Sequence, residues 1–422
     1  MAGFHPTVLT YWRRRLAASG RPNRVFDAVR EVVHATGALT GKTRRALDST
    51  VLEDAVATQD TVTQLIAAIR RVRREVPGAA EVVAAHCTGH DHDDPGKPQI
   101  AWNDPEARAG LVDALVTDAH RLLGHLPEQQ LGPRPAEAVA LLALIAGQDV
   151  EPVEDSDGTD GRWQIARKVA ADRIISTVDP EARHAHKTVH RRTDGFKAHL
   201  IAEPDTGLIT GCTLTKASGP DTGDAAVGLT LLAADPTLGE QVEVLADSAY
   251  GTGPMLAGLA AAGHIALIKP WPSRSLIPDG FSAADFLVDQ TAATLTCPAG
   301  HTVALTPVKK TAKFAHHCTD CALRARCTTS PRGRTVLIGE HDALQRAHRA
   351  HASSEDFQAA YRRHRPMVER SIAWITRGHR RVPYRGIAKN DAWLHLRAAA
   401  INLRRLLTLG LTGTSGHWAL AS

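Results

Sequence analysis

No apolar run in this chain reaches the roughly 18 residues that a membrane span requires, which argues against an integral membrane protein. The start, Met1 to Arg15, lacks the apolar core of a signal peptide, so the expected compartment is the cytoplasm. A Gly-x-x-x-x-Gly-Lys-Ser/Thr loop and a Gly-x-Ser-x-Gly elbow are both missing, and with them any motif for a P-loop ATPase or a serine hydrolase. There is no internal repeat and no low-complexity tract. Cysteine is scarce, with six in 422 residues, yet four fall between Cys297 and Cys327. In a cytosolic chain such clustering speaks for metal before disulfides.

What is present is ordinary in bulk. Hydrophobic residues make up 43% and charged residues 23%, which excludes wholesale disorder and a collagen-like fibre. At about 150 residues per domain the length allows two or three units. Fifty Lys and Arg face 45 Asp and Glu, a net charge of +5, and this mild excess argues only weakly for a nucleic-acid partner. Distribution says more. Basic residues cluster at Arg13 to Arg15, Arg70 to Arg74 and Arg362 to Arg385, and acidic ones between Asp149 and Asp160.

Periodicity divides the chain. The first 47 residues read as short helices with basic faces. Val62, Leu65, Ile66, Ile69 and Val72 predict a helix over Thr61 to Val76, stopped by Pro77-Gly78. Asp104-Pro105 opens a second helix and Ala136 to Ala146 forms a third, so residues 57 to 147 read as a helical unit. Strands are predicted at Arg173 to Val178, Phe196 to Ile201, Leu208 to Thr215, Val242 to Ala246 and Ile265 to Ile268. Helices are predicted at Asp224 to Ala234 and Met255 to Ala262, which makes this an α/β region. Residues 276 to 345 are irregular and hold the cysteines. From Ser354 onward the chain is helical again, with Gly410 as a C-cap.

Candidate chemistry rests on a few side chains. Asp247 ends the strand Val242 to Ala246, and the carboxyl ends of central strands are where α/β folds put their ligands; its plainer reading is a cap for the next helix. Glu369 shares a helical face with Tyr361 and Arg365, at i, i+4 and i+8. A Glu among arginines is also an ordinary solvated ion-pair partner. Asp48, in Leu47-Asp48-Ser49-Thr50, fits a strand, or a helix N-cap, which local sequence favours. Asp179, after Ile174 to Val178, competes with it. Cys297, Cys318, Cys321 and Cys327 fit a closed tetrahedral zinc site, with His301, His316 and His317 as substitutes. His86, Cys87, His90 and His92 lie in an acidic stretch that reads as a solvated loop.

Taken in order, Gly195-Phe196-Lys197-Ala198-His199, Leu245-Ala246-Asp247-Ser248-Ala249-Tyr250, Arg365-Pro366-Met367-Val368-Glu369-Arg370, Tyr384-Arg385-Gly386 and Asn402-Leu403-Arg404-Arg405 make the chain resemble bacterial insertion-sequence transposases of the DDE type. The resemblance implies an α/β, ribonuclease-H-like catalytic core with a helical insertion and a Cys-rich insertion. It puts the second Asp at Asp247 and the Glu at Glu369, with the family's Tyr and Arg at Tyr361 and Arg365. Three residues separate that pair here, and Arg377 stands where a Lys is usual. Small hydroxyl residues after the first Asp favour Asp48, with Asp179 as the alternative.

The implied divisions are a remnant of an N-terminal DNA-binding segment (1–47), the first core strand (48–56), a helical insertion (57–165), the core (166–275), a Cys-rich zinc insertion (276–345) and a C-terminal helical part of the core (346–412). With only 47 residues before Asp48, the chain reads as a truncated copy or a mis-started frame.

The implied activity is metal-dependent DNA cleavage and strand transfer. Asp48, Asp247 and Glu369 would hold two Mg²⁺ ions roughly 3.5–4 Å apart, with Mn²⁺ as a substitute. Lys187, Lys197, Tyr361, Arg362, Arg363, Arg365, Arg380, Arg381 and Arg385 would contact DNA, and the active complex would be a homodimer or larger. The alternatives are a remnant that binds DNA without cutting it, and a nuclease or zinc module unconnected with mobile DNA.

Overall fold

The computed structural model describes residues 5–94, 96–154, 156, 162–166, 170, 172–188, 191–378, 380–414 and 417–421. Two helices, α1 (Pro6–Ala17) and α2 (Arg24–Ala35), lead into the strand β1 (Arg44–Glu53). Asp48 therefore lies inside a strand and caps no helix, contrary to the local reading. Leu47, Leu52 and Ala46 are fully buried, and such alternating contacts on two faces reward an extended chain over a helix start.

Helices α3 (Thr61–Glu75), α4 (Ala79–His86), α5 (Pro105–His125) and α6 (Pro133–Gln148) follow. Leu65, Ile69 and Val72 of α3 meet Leu115, Leu122 and Leu142 in a core that these helices build among themselves. Asp60 and Asp104 cap α3 and α5 by accepting from the amides of Thr63 and Glu106. His92 is not in a solvated loop. It is buried and bonded to Asp118 at 3.0 Å, while the Cys87 thiol donates to the Asp118 carbonyl.

The chain then returns through β2 (Arg183–Thr188), β3 (Arg191–Ala202) and β4 (Ile209–Lys216). Helix α7 (Asp224–Ala233), strand β5 (Glu243–Ala246), helix α8 (Gly253–Ala261) and strand β6 (Ile265–Ile268) complete the sheet. Its order is β4-β3-β1-β5-β6, with β2 extending the outer end of β3. β1, β3 and β4 run antiparallel to their neighbours, and β1, β5 and β6 run parallel.

The predicted strand Arg173 to Val178 does not form. Its backbone is held by two glutamines in place of a neighbouring strand. Gln148 accepts from the Ile174 amide and donates to the Ile174 carbonyl, and Gln59 accepts from the Thr177 amide.

After short hairpins around the cysteines come α9 (Asp342–Ala352), α10 (Glu355–Ile375) and α11 (Ile387–Thr408). Gly410, at φ 85°, takes the left-handed conformation that ends α11. Helices α7 and α8 cover the sheet face of Leu47, Ile201 and Val244. Helix α10 covers the other face, where Ala46, Ala202 and Leu245 are small enough or flat enough to let Phe357 and Val368 approach. Helices α2 and α11 continue that layer over Leu52, Phe196 and Leu200.

Asp54 and Asp179, both buried, sit together just beyond β1. Burial and the Asp179 charge push the Asp54 carboxyl up to about 6, from an ordinary 3.8. The folded protein thus keeps a proton that the unfolded chain releases near pH 4. The stability linked to that proton is complete below pH 4 and is lost as pH rises through about 6. Asp54→Asn carries no charge and can still donate to Asp179. Thermal unfolding should show it about 2–5 °C more stable than the parent at pH 8 and little changed at pH 4; a less stable variant at pH 8 would contradict the shared proton.

Candidate active site

The register of β1 against β5 pairs Ala46 with Leu245. Two residues further along both chains, Asp48 comes level with Asp247, which follows the last residue of β5. Asp247 also acts as a cap: its Oδ1 accepts from the Ala249 amide at 2.9 Å and starts a short turn over Ser248–Tyr250. Asp48 faces α10, because it lies on the same side of β1 as Ala46.

Arg365 reaches down from α10 into this place. Its Nη2 lies 3.0 Å from Asp48 Oδ2, and its Nη1 donates to the Leu47 carbonyl at 2.7 Å. Its Nε lies 3.8 Å from Oε1 of Glu369, one helical turn on. The Arg365 side chain is 6% exposed and that of Glu369 is 64% exposed. Asp48, Asp247 and Glu369 are thus grouped round one guanidinium. Arg365, expected on DNA, faces the carboxylates in this structure; spacing gave its helical face, and only packing shows that this face is the buried one.

Burial lifts the Asp48 carboxyl above its ordinary range, the Arg365 charge and the Ser49 amide oppose that lift, and the Asp247 charge adds to it. Asp48, Tyr361 and Asp247 together hold Arg365 more firmly charged, against its burial. Tyr361, half-buried and stacked on Phe357, has its hydroxyl raised by burial.

Asp179 lies elsewhere. It accepts from the Gly386 amide at 2.8 Å, while Glu181 accepts from the Ile387 amide at 2.9 Å, so the two carboxylates cap α11. It sits beside Asp54, six residues beyond Asp48 along β1, or about 20 Å.

The other arginines form a rim. Arg362, Arg363, Arg381 and Arg385 are exposed. Arg380 is exposed too, and it donates to Thr50 Oγ1 at 3.0 Å, on the Asp48 side of β1. The segment that carries Arg380 and Arg381 is pinned to β1 where the Glu53 amide donates to Arg380 and the Val382 amide to Glu53, both at 2.8 Å.

Lys197 is not free for a ligand: it pairs with Asp224 at 2.9 Å, next to His199, which is buried and lowered to about 4 by its burial. Asp224 was missed by sequence reasoning, since an Asp in a helix's first turn is commonplace. Its charge, with those of Asp48 and Asp247, helps burial to raise the hydroxyl of Tyr250. Lys187 lies on β2, and its side chain is outside the described residues.

The four clustered cysteines also converge. Cys297, Cys318, Cys321 and Cys327 line one cavity of about 20 Å³, with Phe286, Phe314 and His317 around it. Cys318 Sγ accepts the Arg334 amide at 3.4 Å. Burial pushes the Cys327 thiol up, Arg334 opposes this, and the other three sulfurs add to it.

Donor chemistry in the two places suits different metals, hard oxygens at Asp48, Asp247 and Glu369 and thiols at the cysteines. Among the described residues, however, no group of three or more His, Cys, Asp or Glu is gathered closely enough to hold a metal ion as it stands. At the carboxylates the intervening position belongs to Arg365.

Residues 296–407 match the family model described as a transposase DDE domain. The matched segment contains Glu369, Arg365 and the four cysteines, and Asp48 and Asp247 precede it. This match supports the resemblance to an insertion-sequence transposase of the DDE type. No curated protein and no solved structure matches the chain.

The burial of Lys197 against Asp224 separates it from the exposed arginines. Lys197→Met should lower the unfolding temperature by several degrees, because a part-buried carboxylate loses its partner, whereas Arg362→Ala should leave it unchanged. Thermal unfolding of both variants checks this.

Proposed function

We propose that this chain, part of which is a transposase DDE domain, cleaves DNA and transfers strands of an insertion sequence, with Asp48, Asp247 and Glu369 as its catalytic carboxylates. The observation that carries the reading is the meeting of Asp48 on β1, Asp247 after β5 and Glu369 on α10 round one site. A sheet of three antiparallel strands followed by two parallel ones, with α10 as a later helix, supports the reading of a ribonuclease-H-like core. On this reading residues 57–165 and 276–345 are insertions into one catalytic core, 346–412 its C-terminal part and 1–47 a DNA-binding segment.

Two Mg²⁺ ions, or Mn²⁺ in their place, bound by these carboxylates would supply the positive charge that phosphodiester displacement needs. The chain's own groups do the rest. Exposed Arg362, Arg381 and Arg385 grip phosphates and set the backbone across the site. Arg380, braced by Thr50, holds its charge on the Asp48 side. Water, and later a DNA 3′-hydroxyl, is the nucleophile, so no side chain forms a covalent bond to DNA. The active form is a dimer or larger.

The cysteine cavity is read as a structural zinc site, and what supports this is that Cys297, Cys318, Cys321 and Cys327 all line one cavity of about 20 Å³. A second reading, a protein that binds DNA without cutting it, is favoured by one observation: Asp48 is already paired with Arg365.

Incubated with DNA bearing the element's ends and Mg²⁺ or Mn²⁺, the protein should nick at those ends. Asp247→Asn or Glu369→Gln should reduce nicking to background. Undiminished nicking in both variants would remove the carboxylates from the mechanism, and end binding without nicking in the parent would favour the second reading.

Purified protein should also carry about one zinc per chain. Cys318→Ser should lose the metal and unfold at a lower temperature; protein prepared without chelator and found free of zinc would sink the thiol site.

A further inference from the structure

We propose that Arg365 is a latch on the catalytic carboxylates, which keeps divalent metal out until a DNA phosphate draws its guanidinium away. The inference rests on the function proposed above and adds a rule for when the site becomes competent. Both oxygens of Asp48 are engaged: Oδ1 accepts from the Ser49 amide at 2.8 Å, and Oδ2 pairs with Arg365 at 3.0 Å. A guanidinium keeps its charge at every working pH, so a divalent cation entering between Asp48 and Glu369 would meet a fixed positive charge at close range. Arg365 thus occupies, as a cation, the place that a metal would take.

The same guanidinium is only partly satisfied. Its Nη1 is held by Leu47 and the Tyr361 hydroxyl lies within reach of the group, but its Nε is buried without a hydrogen-bond partner, and Glu369 stands off from it at 3.8 Å on an exposed side chain. Arginine forks bind phosphate through two parallel hydrogen bonds, which is a better exchange than one ion pair and one long approach. Exposed Arg362 sits on the same helix, and Arg380 reaches the site from the β1 side, so a DNA backbone drawn in by them arrives where Arg365 can turn to it. Departure of Arg365 leaves Asp48, Asp247 and Glu369 as unbalanced negative charges, the state in which a divalent cation binds best. Metal and DNA then bind cooperatively, and each must tighten the other by the same factor.

The test is Mn²⁺ binding to the full chain, followed by electron paramagnetic resonance and calorimetry, with no DNA cleavage read. Without DNA, the parent should bind Mn²⁺ weakly. Arg365→Gln should bind it at least about tenfold more tightly, since a nearby positive charge is gone. Arg365→Lys, which keeps the charge, should stay close to the parent. Asp247→Asn should abolish the tight binding seen with Gln. A DNA duplex of the element's end in Ca²⁺-free, Mg²⁺-free buffer should tighten Mn²⁺ binding to the parent and leave the Gln variant little changed.

Equal Mn²⁺ affinity in the parent and the Gln variant would overturn the latch and leave the carboxylate site standing. No Mn²⁺ binding in any variant, with or without DNA, would overturn the site itself and the latch with it. Should the Gln variant fail to fold, the parent alone decides: Mn²⁺ affinity unaffected by DNA refutes the coupling.

Discussion

A positive charge buried on the central strand sets the arrangement of everything around it. Arg365 cannot lose its proton, and at 6% exposure it cannot be solvated, so the fold must bring it negative and polar partners. It finds them in the Leu47 carbonyl and the Asp48 carboxylate, both on β1. That choice fixes the rotation of α10 about its axis. Once Arg365 points into the sheet, Tyr361 and Glu369, one turn to either side, lie along the same edge of the site. Val368 and Phe357 then drop onto Ala46, Ala202 and Leu245. The ion pair would be a poor source of stability alone, since desolvation offsets most of its attraction. Its value is in register: the apolar contacts of α10 would tolerate a slip, and the guanidinium does not.

β1 carries this load because it is held on every side. It pairs antiparallel with β3 over eight positions, from Ala46–Ala202 to Glu53–Gly195, and parallel with β5. Near its end the Arg380–Val382 segment adds two more backbone hydrogen bonds. Gly195, at φ 150°, lets β3 close on the Leu52 carbonyl, where a Cβ would stand 2.2 Å away. On the far side of the sheet Arg45 and Asp235, both fully buried, make a second ion pair at 2.8 Å, with Thr237 taking another guanidinium hydrogen. Two buried arginines, Arg45 on β1 and Arg365 on α10, thus lie on opposite faces of the sheet and tie it to the layers on either side.

How much of this could be read from the sequence depends on the kind of signal. Periodic helices and short apolar strands were legible: Ile265 to Ile268 appears at the expected bounds, and Thr61 to Val76 differs by one residue. Asp247 was legible because its strand is apolar and short, so the acid marks the end. Arg173 to Val178 does not become a strand because alternation reports an extended chain and cannot say what pairs with it; here glutamine side chains 26 and 118 positions earlier in the chain supply the partners. The partners of Lys197 and Arg365, both expected on DNA, were beyond reach of the sequence for the same reason. Sequence shows a charge but not its counter-ion, and Asp224 and Asp48 are 27 and 317 positions away. Spacing puts the four cysteines in one neighbourhood, and they do line one cavity, but among the described residues no three of them stand close enough to hold a metal ion as they are.

Asp48 and Asp179 differ in how they stand to the point where the helical segment joins the sheet. The chain leaves β1 after Glu53 and comes back near Asp179, and α3 to α6 bury a core of their own in between. Departure and return are tied together at one point. The Asp54 amide donates to Asp194, and Asp54 lies against Asp179, which in turn caps α11. Closing a long loop costs little more than closing a short one, because the entropy grows only with the logarithm of length. A closed seam at the end of β1 therefore lets a large helical segment sit there without moving Asp48. Asp179 is spent on that seam, one carboxylate holding both the return of the chain and the start of α11. Asp48, in mid-strand and level with Asp247, takes no part in that seam; its partners are the Ser49 amide and the guanidinium that sets α10.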